Sequence, residues 1–109
     1  MKKIVYKKLI RDRIPEIIQS NNAVCKTRVM SKKEFLFEVK KKMLEEAKEL
    51  CKAKSKDDVM NELSDISELT DTLLREYNFS RSELKTQQTA KRKKRGGFTK
   101  RLFLEYSEK

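Results

Sequence analysis

The sequence predicts an all-α protein built as an antiparallel helical bundle. Its 109 residues include only two glycines and one proline, which disfavours a turn-rich β architecture. Apolar residues recur every three or four positions over long stretches, the period of an amphipathic helix. The breaks between these stretches are short, so consecutive helices should be antiparallel neighbours. The length fits a single domain covering residues 1–109.

Serine residues mark the expected helix starts. Three core helices are expected, over residues about 31–53, 55–78 and 80–94. The capping residues are Ser31, Ser55, and either Ser80 or Ser82. Acidic residues at the third helical position have the spacing of a capping box. The pair Gly96–Gly97 should end the last helix.

The two ends of the chain are expected to be less regular. Pro15 allows a short helical turn over about 14–19. Partial alternation of apolar and polar residues raises the possibility of a short β-ribbon formed by residues 24–30 and 98–106.

The composition excludes several kinds of chemistry. There is no histidine, so His-activated nucleophiles and His-ligated zinc are excluded. Cys25 and Cys51 form neither a metal-ligand pattern nor a disulfide framework, and free thiols in a reducing cytosol are expected. The first residues are too charged for a secretory signal, so a cytoplasmic location is expected. The net charge of +11 points to anionic partners such as nucleotides.

Five acids in the middle of the chain have a spacing that can create a metal site. Glu46 and Glu49 share a face of the first core helix, with Glu45 at its edge, because residues three apart differ by only ~60° around a helix. Glu62 and Asp65 share a face of the next helix in the same way. In an antiparallel pair the two sets lie at similar heights and can meet across a groove. Converging carboxylates repel one another unless a cation such as Mg²⁺ joins them.

A simpler interpretation stands beside this one. Acids on helices are usually solvated, and these acids can pair with nearby lysines such as Lys41, Lys42 and Lys48. Spacing alone leaves both interpretations open.

Four motifs, taken together, resemble a known enzyme superfamily. They are EEAKE at 45–49, ELSD at 62–65, KLIRDRIPEII at 8–18 and KRGGFTKRLFLE at 94–105. The order and content of these motifs resemble the MazG-like all-α nucleoside triphosphate pyrophosphohydrolases. The resemblance is to a small single-domain branch, often labelled phosphoribosyl-ATP pyrophosphohydrolase-like, and it extends over nearly the whole chain.

The resemblance implies a specific reaction. Members of this superfamily cleave the α–β phosphoanhydride of a nucleoside triphosphate and release a monophosphate and pyrophosphate. It implies that Mg²⁺, with Mn²⁺ as a possible substitute, is held by the acids matching Glu46, Glu49, Glu62 and Asp65. Glu45, Glu46 and Glu49 are the expected catalytic acids, with Glu45 orienting water or supporting a ligand.

Two basic segments are candidates for phosphate binding. Lys94, Arg95 and Arg101 flank the glycine pair, where backbone N–H groups can approach an oxyanion. This segment can equally be a solvated basic tail or a nucleic-acid-binding patch. Lys8 and Arg11 either approach the triphosphate or belong to an N-terminal latch.

The expected function is therefore Mg²⁺-dependent pyrophosphohydrolysis of a nucleoside triphosphate, as house-cleaning of the nucleotide pool. The small core and the habit of the superfamily suggest a homodimer or homotetramer. Two rivals are a basic nucleic-acid-binding helical module without enzymatic activity, and a helical interaction protein whose acidic face docks a basic partner.

Overall fold

The computed structural model describes residues 2–109 and confirms an all-α architecture. The helices are α1 (Ile14–Ser20), α2 (Lys32–Lys52), α3 (Lys56–Glu76) and α4 (Arg81–Arg95). None of the described helices combines the length and the apolarity that crossing a bilayer requires.

Serine side chains start the two long helices as the sequence predicts. The Ser31 hydroxyl accepts a hydrogen bond from the backbone N–H of Glu34 at 3.2 Å. The Ser55 hydroxyl accepts one from the N–H of Asp58 at 3.0 Å. Each bond satisfies an N–H group that the first turn of a helix leaves without a partner. The carboxylate of Glu34 is instead held by Arg28, through two bonds of 2.8 and 2.6 Å.

Helix α4 begins at Ser80, which decides between the two candidate caps. The Ser80 hydroxyl accepts from the N–H of Glu83 at 3.0 Å, and the Glu83 carboxylate accepts from the N–H of Ser80 at 3.1 Å. This is a complete capping box. The helix ends at Gly96, whose φ of 82° favours a residue without a side chain.

The core of the molecule lies between α2 and α3, the only extensively packed helix pair among the described elements. The connection through residues 53–55 is short, so α3 returns antiparallel along α2. Val39 is fully buried and Leu69 is nearly so, and these are the only buried side chains of the described chain. A core this thin leaves much of the apolar surface in solvent.

The shape of the chain reflects that thin core. The radius of gyration is 18.8 Å, whereas a compact domain of about 100 residues has one of about 13 Å. Helix α4 is attached to α3 mainly by polar contacts: Arg81 donates to the Ser67 hydroxyl at 2.9 Å and pairs with Asp71 at 2.8 Å. The remaining C-terminal residues, 96–109, form an irregular, exposed arm.

The possible β-ribbon is not formed, and that expectation is wrong. Residues 24–30 and 98–106 contain no strand. Alternation fixes which side chains share a face, but a strand also needs a neighbouring strand to accept its backbone hydrogen bonds. The side chains of Val24, Val29 and Phe98 are almost fully exposed, and Phe98 (97% exposed) therefore lies outside the core.

Val39→Ala should destabilise the fold far more than a matched change at the surface. It removes two buried methyl groups and leaves a cavity, so the free energy of unfolding should fall by roughly 2–3 kcal/mol. Val29→Ala is the control, because Val29 is 98% exposed and the change should be nearly neutral. Urea unfolding at one protein concentration measures both, and equal effects would contradict the assigned core.

Candidate metal centre

Three of the predicted metal ligands lie together between α2 and α3. Glu46 from α2, and Glu62 and Asp65 from α3, each contribute a carboxylate oxygen, and these three oxygens lie within 4.8 Å of one another. All three residues are half-buried. The positions follow from the local structure, because the short connection sets Glu46 opposite Glu62 and a three-residue step adds Asp65 on the same face.

The electrostatics of this acidic cluster are unfavourable without a cation. Oε2 of Glu62 is covered by protein, and as long as Glu46 is ionised no hydrogen-bond donor contacts this oxygen among the described residues. The pKa of Glu46 is raised to about 7, first by a hydrogen bond to Glu62 that only protonated Glu46 can donate. Burial and the negative charges of Glu62 and Asp65 raise it further, while Lys42 acts in the opposite direction.

Arg11 reaches the cluster from the N-terminal segment. Its guanidinium donates to Oδ1 of Asp65 at 2.7 Å, across 54 positions of sequence. This contact brings Arg11 to the same acids that the sequence assigned to the metal. It also gives the N-terminal segment a fixed place beside the α2–α3 pair.

The other two predicted acids are arranged differently. Glu49 is exposed and is not part of the cluster. It lies one turn beyond Glu46 toward the end of α2, displaced by ~60° around the helix. Glu45 is also exposed, and it faces the neighbouring groove. Metal ligation by Glu49 and catalytic roles for Glu45 and Glu49 stay predictions.

A basic groove of about 190 Å³ lies next to the cluster. It is formed where the N-terminal segment runs beside α2, and its lining is Tyr6, Lys7, Lys8, Leu9, Glu38, Lys41, Lys42 and Glu45. The ammonium of Lys8 lies 5.3 Å from the centre of the Tyr6 ring. Lys42 joins the two features, because it lines the groove and also lowers the pKa of Glu46.

This groove has only a weak signal in the sequence. Helical spacing indicates Lys41 and Lys42 only as ion-pair partners of the acids, and no motif points to Tyr6, which is exposed. Their positions on α2, four and five residues before Glu46, place them one turn from the cluster. What no local pattern shows is that the N-terminal segment lies alongside them.

The C-terminal basic residues are not brought to the acids within one chain. Lys94 and Arg95 end α4, and Arg101 lies in the exposed arm. No hydrogen bond or ion pair of the described residues links these three cations to Glu46, Glu62 or Asp65. Their assignment to phosphate stays a prediction.

The donor set fits Mg²⁺ or Mn²⁺. Both ions bind carboxylate oxygens, and Mg²⁺ commonly takes one or two carboxylates together with water and phosphate. Oxygens bound to one Mg²⁺ lie about 3 Å apart when adjacent and about 4 Å apart when opposite, and the three cluster oxygens all lie within 4.8 Å of one another. A cation would also give the covered Glu62 oxygen the positive partner that it lacks.

Comparisons with protein-family models, curated proteins and solved structures gave no match. The MazG-like resemblance therefore rests on its four sequence motifs.

The raised pKa of Glu46 predicts a pH-dependent stability for the metal-free protein. A carboxyl with an ordinary pKa of 4.5 when unfolded and about 7 when folded binds more protons in the folded state between those values. The stability that this proton contributes is thus fully present below pH ~4.5 and is lost as the pH rises through ~7. The melting temperature in EDTA should fall over this range, and Mg²⁺ should restore it at pH 8.

Glu46→Gln should remove most of this pH dependence and also the response to Mg²⁺. The matched control is Glu68→Gln, which neutralises an exposed acid on α3 outside the cluster and should leave both intact. An unchanged pH profile in Glu46→Gln would show that the cluster is not under electrostatic strain.

Proposed function

We propose that this protein is a Mg²⁺-dependent nucleoside triphosphate pyrophosphohydrolase, with Mn²⁺ as an alternative cation. The observation that carries the proposal is the convergence of Glu46, Glu62 and Asp65 from two helices, with Oε2 of Glu62 covered and no cationic side chain bonded to it among residues 2–109. A purely structural cluster of acids would be expected to turn toward water or to pair fully with cations.

The proposed reaction is hydrolysis between the α and β phosphates. A water oxygen attacks the α-phosphorus, the bond to the bridging oxygen breaks, and a monophosphate and pyrophosphate leave with release of a proton. The bound cation would supply charge neutralisation on the phosphates and a lower pKa for a coordinated water. Glu46, Glu62 and Asp65 would hold that cation, and the nearby Glu45 and Glu49 are available to orient the water.

The basic groove is the proposed path of the triphosphate. Lysine ammonium groups from both walls of the groove, Lys8 and Lys41 among them, can neutralise phosphate oxygens. Arg11 can move from Asp65 to a phosphate once a cation takes over the charge of Asp65. The exposed Tyr6 ring offers a face on which a nucleobase can stack.

The same hypothesis suggests a cellular role and an oligomeric state. A small enzyme that destroys triphosphates without further chemistry suits house-cleaning of the nucleotide pool in the cytoplasm. The thin core and the large exposed apolar side chains favour a homodimer or homotetramer.

The basic surface of α4 supports a second candidate, binding of nucleic acid without catalysis. Residues 91–95 are five consecutive basic residues, all exposed. A binder of this kind would lose affinity steeply with salt, and neutralising Glu62 would not weaken it. Nothing in this candidate accounts for three converging carboxylates.

Pyrophosphate release should require both the cation and the cluster. A screen over canonical and modified nucleoside triphosphates should show release with Mg²⁺ or Mn²⁺ and none in EDTA. Glu62→Gln and Asp65→Asn should each lower kcat more than roughly 100-fold, since each removes charge that positions the cation. Glu68→Gln should retain activity. Background rates across the whole panel with folded protein would overturn the proposal.

The groove should control substrate affinity more than turnover. Replacing Lys41 and Lys42 together by alanine should raise KM roughly tenfold, the effect of about 1.4 kcal/mol of lost phosphate binding. Lys32 and Lys33 are the matched control pair, because they lie on the same helix but outside the groove. Equal effects from the two pairs would mean that net charge, not the groove, attracts the nucleotide.

A further inference from the structure

The C-terminal arm has a composition unsuited to solvent. Within residues 96–109 five large apolar side chains are exposed: Phe98, Leu102, Phe103, Leu104 and Tyr106. Leu102 and Phe103 are each 86% exposed. Leaving such side chains in water forgoes the favourable free energy of burying them. The arm is therefore expected to have a partner surface.

Helices α2 and α3 carry exposed apolar side chains of their own. Phe37 and Leu44 lie seven residues apart on the same face of α2, and Met60 and Leu63 lie three apart on α3. Their exposure leaves apolar area on both sides of the thin core. Within one chain, therefore, the apolar side chains of the arm and those of the helix faces both remain exposed.

Charge complementarity favours the same pairing. Residues 91–101, which join the end of α4 to the start of the arm, contain seven basic residues and no acid, whereas α3 contains seven acids and only two basic residues. Within one chain the arm is exposed along its whole length, and the molecule measures 64 × 34 × 27 Å. An extended arm of 14 residues can reach up to about 46–50 Å, which suffices to cross either of the two shorter dimensions of a neighbouring subunit.

We infer that the arm of one copy docks on the α2–α3 pair of a second copy and brings Arg101, together with Arg95 at the end of α4, to that copy's acidic cluster. The site is then shared, with Glu46, Glu62 and Asp65 from one subunit and Arg95 and Arg101 from the other. This explains why the predicted phosphate ligands and the acids do not meet within one chain. The catalytic part of this inference rests on the proposed function, whereas the docking part does not.

The docking is tested without any activity measurement. A photoreactive benzoylphenylalanine at position 103 of the full chain is activated in a mixture of isotopically heavy and light protein. The expected cross-links join position 103 of one copy to α2 or α3 of another.

The variant Phe103→Ser/Leu104→Ser should shift the protein toward monomer in light scattering. The control Val24→Ser/Val29→Ser changes two side chains that are also exposed but lie outside the arm, and it should not. Cross-links confined to one copy, or a monomeric wild type, overturn the inference.

Mixing two inactive variants tests the shared site. The Glu62→Gln variant keeps Arg95 and Arg101 but has a defective acidic cluster. The Arg95→Ala/Arg101→Ala variant keeps the acidic cluster but lacks these two cations. Random pairing in a two-fold dimer should restore about a quarter of wild-type activity in an equal mixture. No recovery, with an active wild type and cross-linked copies, overturns delivery of the cations. An inactive wild type with cross-links between copies overturns the hydrolase proposal and leaves the docking supported.

Discussion

The repulsion among three carboxylates between α2 and α3 is the constraint on which the account depends. Glu46, Glu62 and Asp65 are brought close together by two capped helices and a short connection. The fold tolerates this arrangement through a proton on Glu46 and the Arg11 contact to Asp65. A divalent cation would relieve the same repulsion, which makes the strained cluster a preorganised ligand set.

The thin core also limits how much packing energy can stabilise the helix pair that carries this cluster. Among residues 2–109 only Val39 and Leu69 are buried, so the antiparallel pair has little apolar packing with which to offset the free-energy cost of bringing the carboxylates together. If the proposed metal site and assembly form, ligands and neighbouring copies would contribute more to stability than they do in a compact domain. Metal binding, nucleotide binding and assembly are expected to be thermodynamically linked, because each supplies contacts or charge that the single chain lacks.

Local chemistry made much of the fold predictable, whereas long-range contacts did not follow from it. The caps at Ser31, Ser55 and Ser80 involve residues three apart, and helical spacing alone placed Glu62 beside Asp65. The antiparallel geometry then brought Glu46 to them. The Arg11 contact spans 54 positions, and the groove depends on where an irregular segment lies. Such placements are set by tertiary packing, which local sequence patterns do not reveal. The β-ribbon expectation failed for the same reason, because strand pairing is also a long-range contact.

The most direct measurement is anomalous diffraction from crystals grown at pH 8 with Mn²⁺. At that pH Glu46 gives up its proton more readily, so the cluster is at its most negative. The proposed metal site predicts an anomalous peak within bonding distance of carboxylate oxygens from Glu46, Glu62 and Asp65, with Arg11 displaced from Asp65. A cluster that keeps its Arg11 contact and shows no peak, while Mn²⁺ occupies other sites, would contradict it.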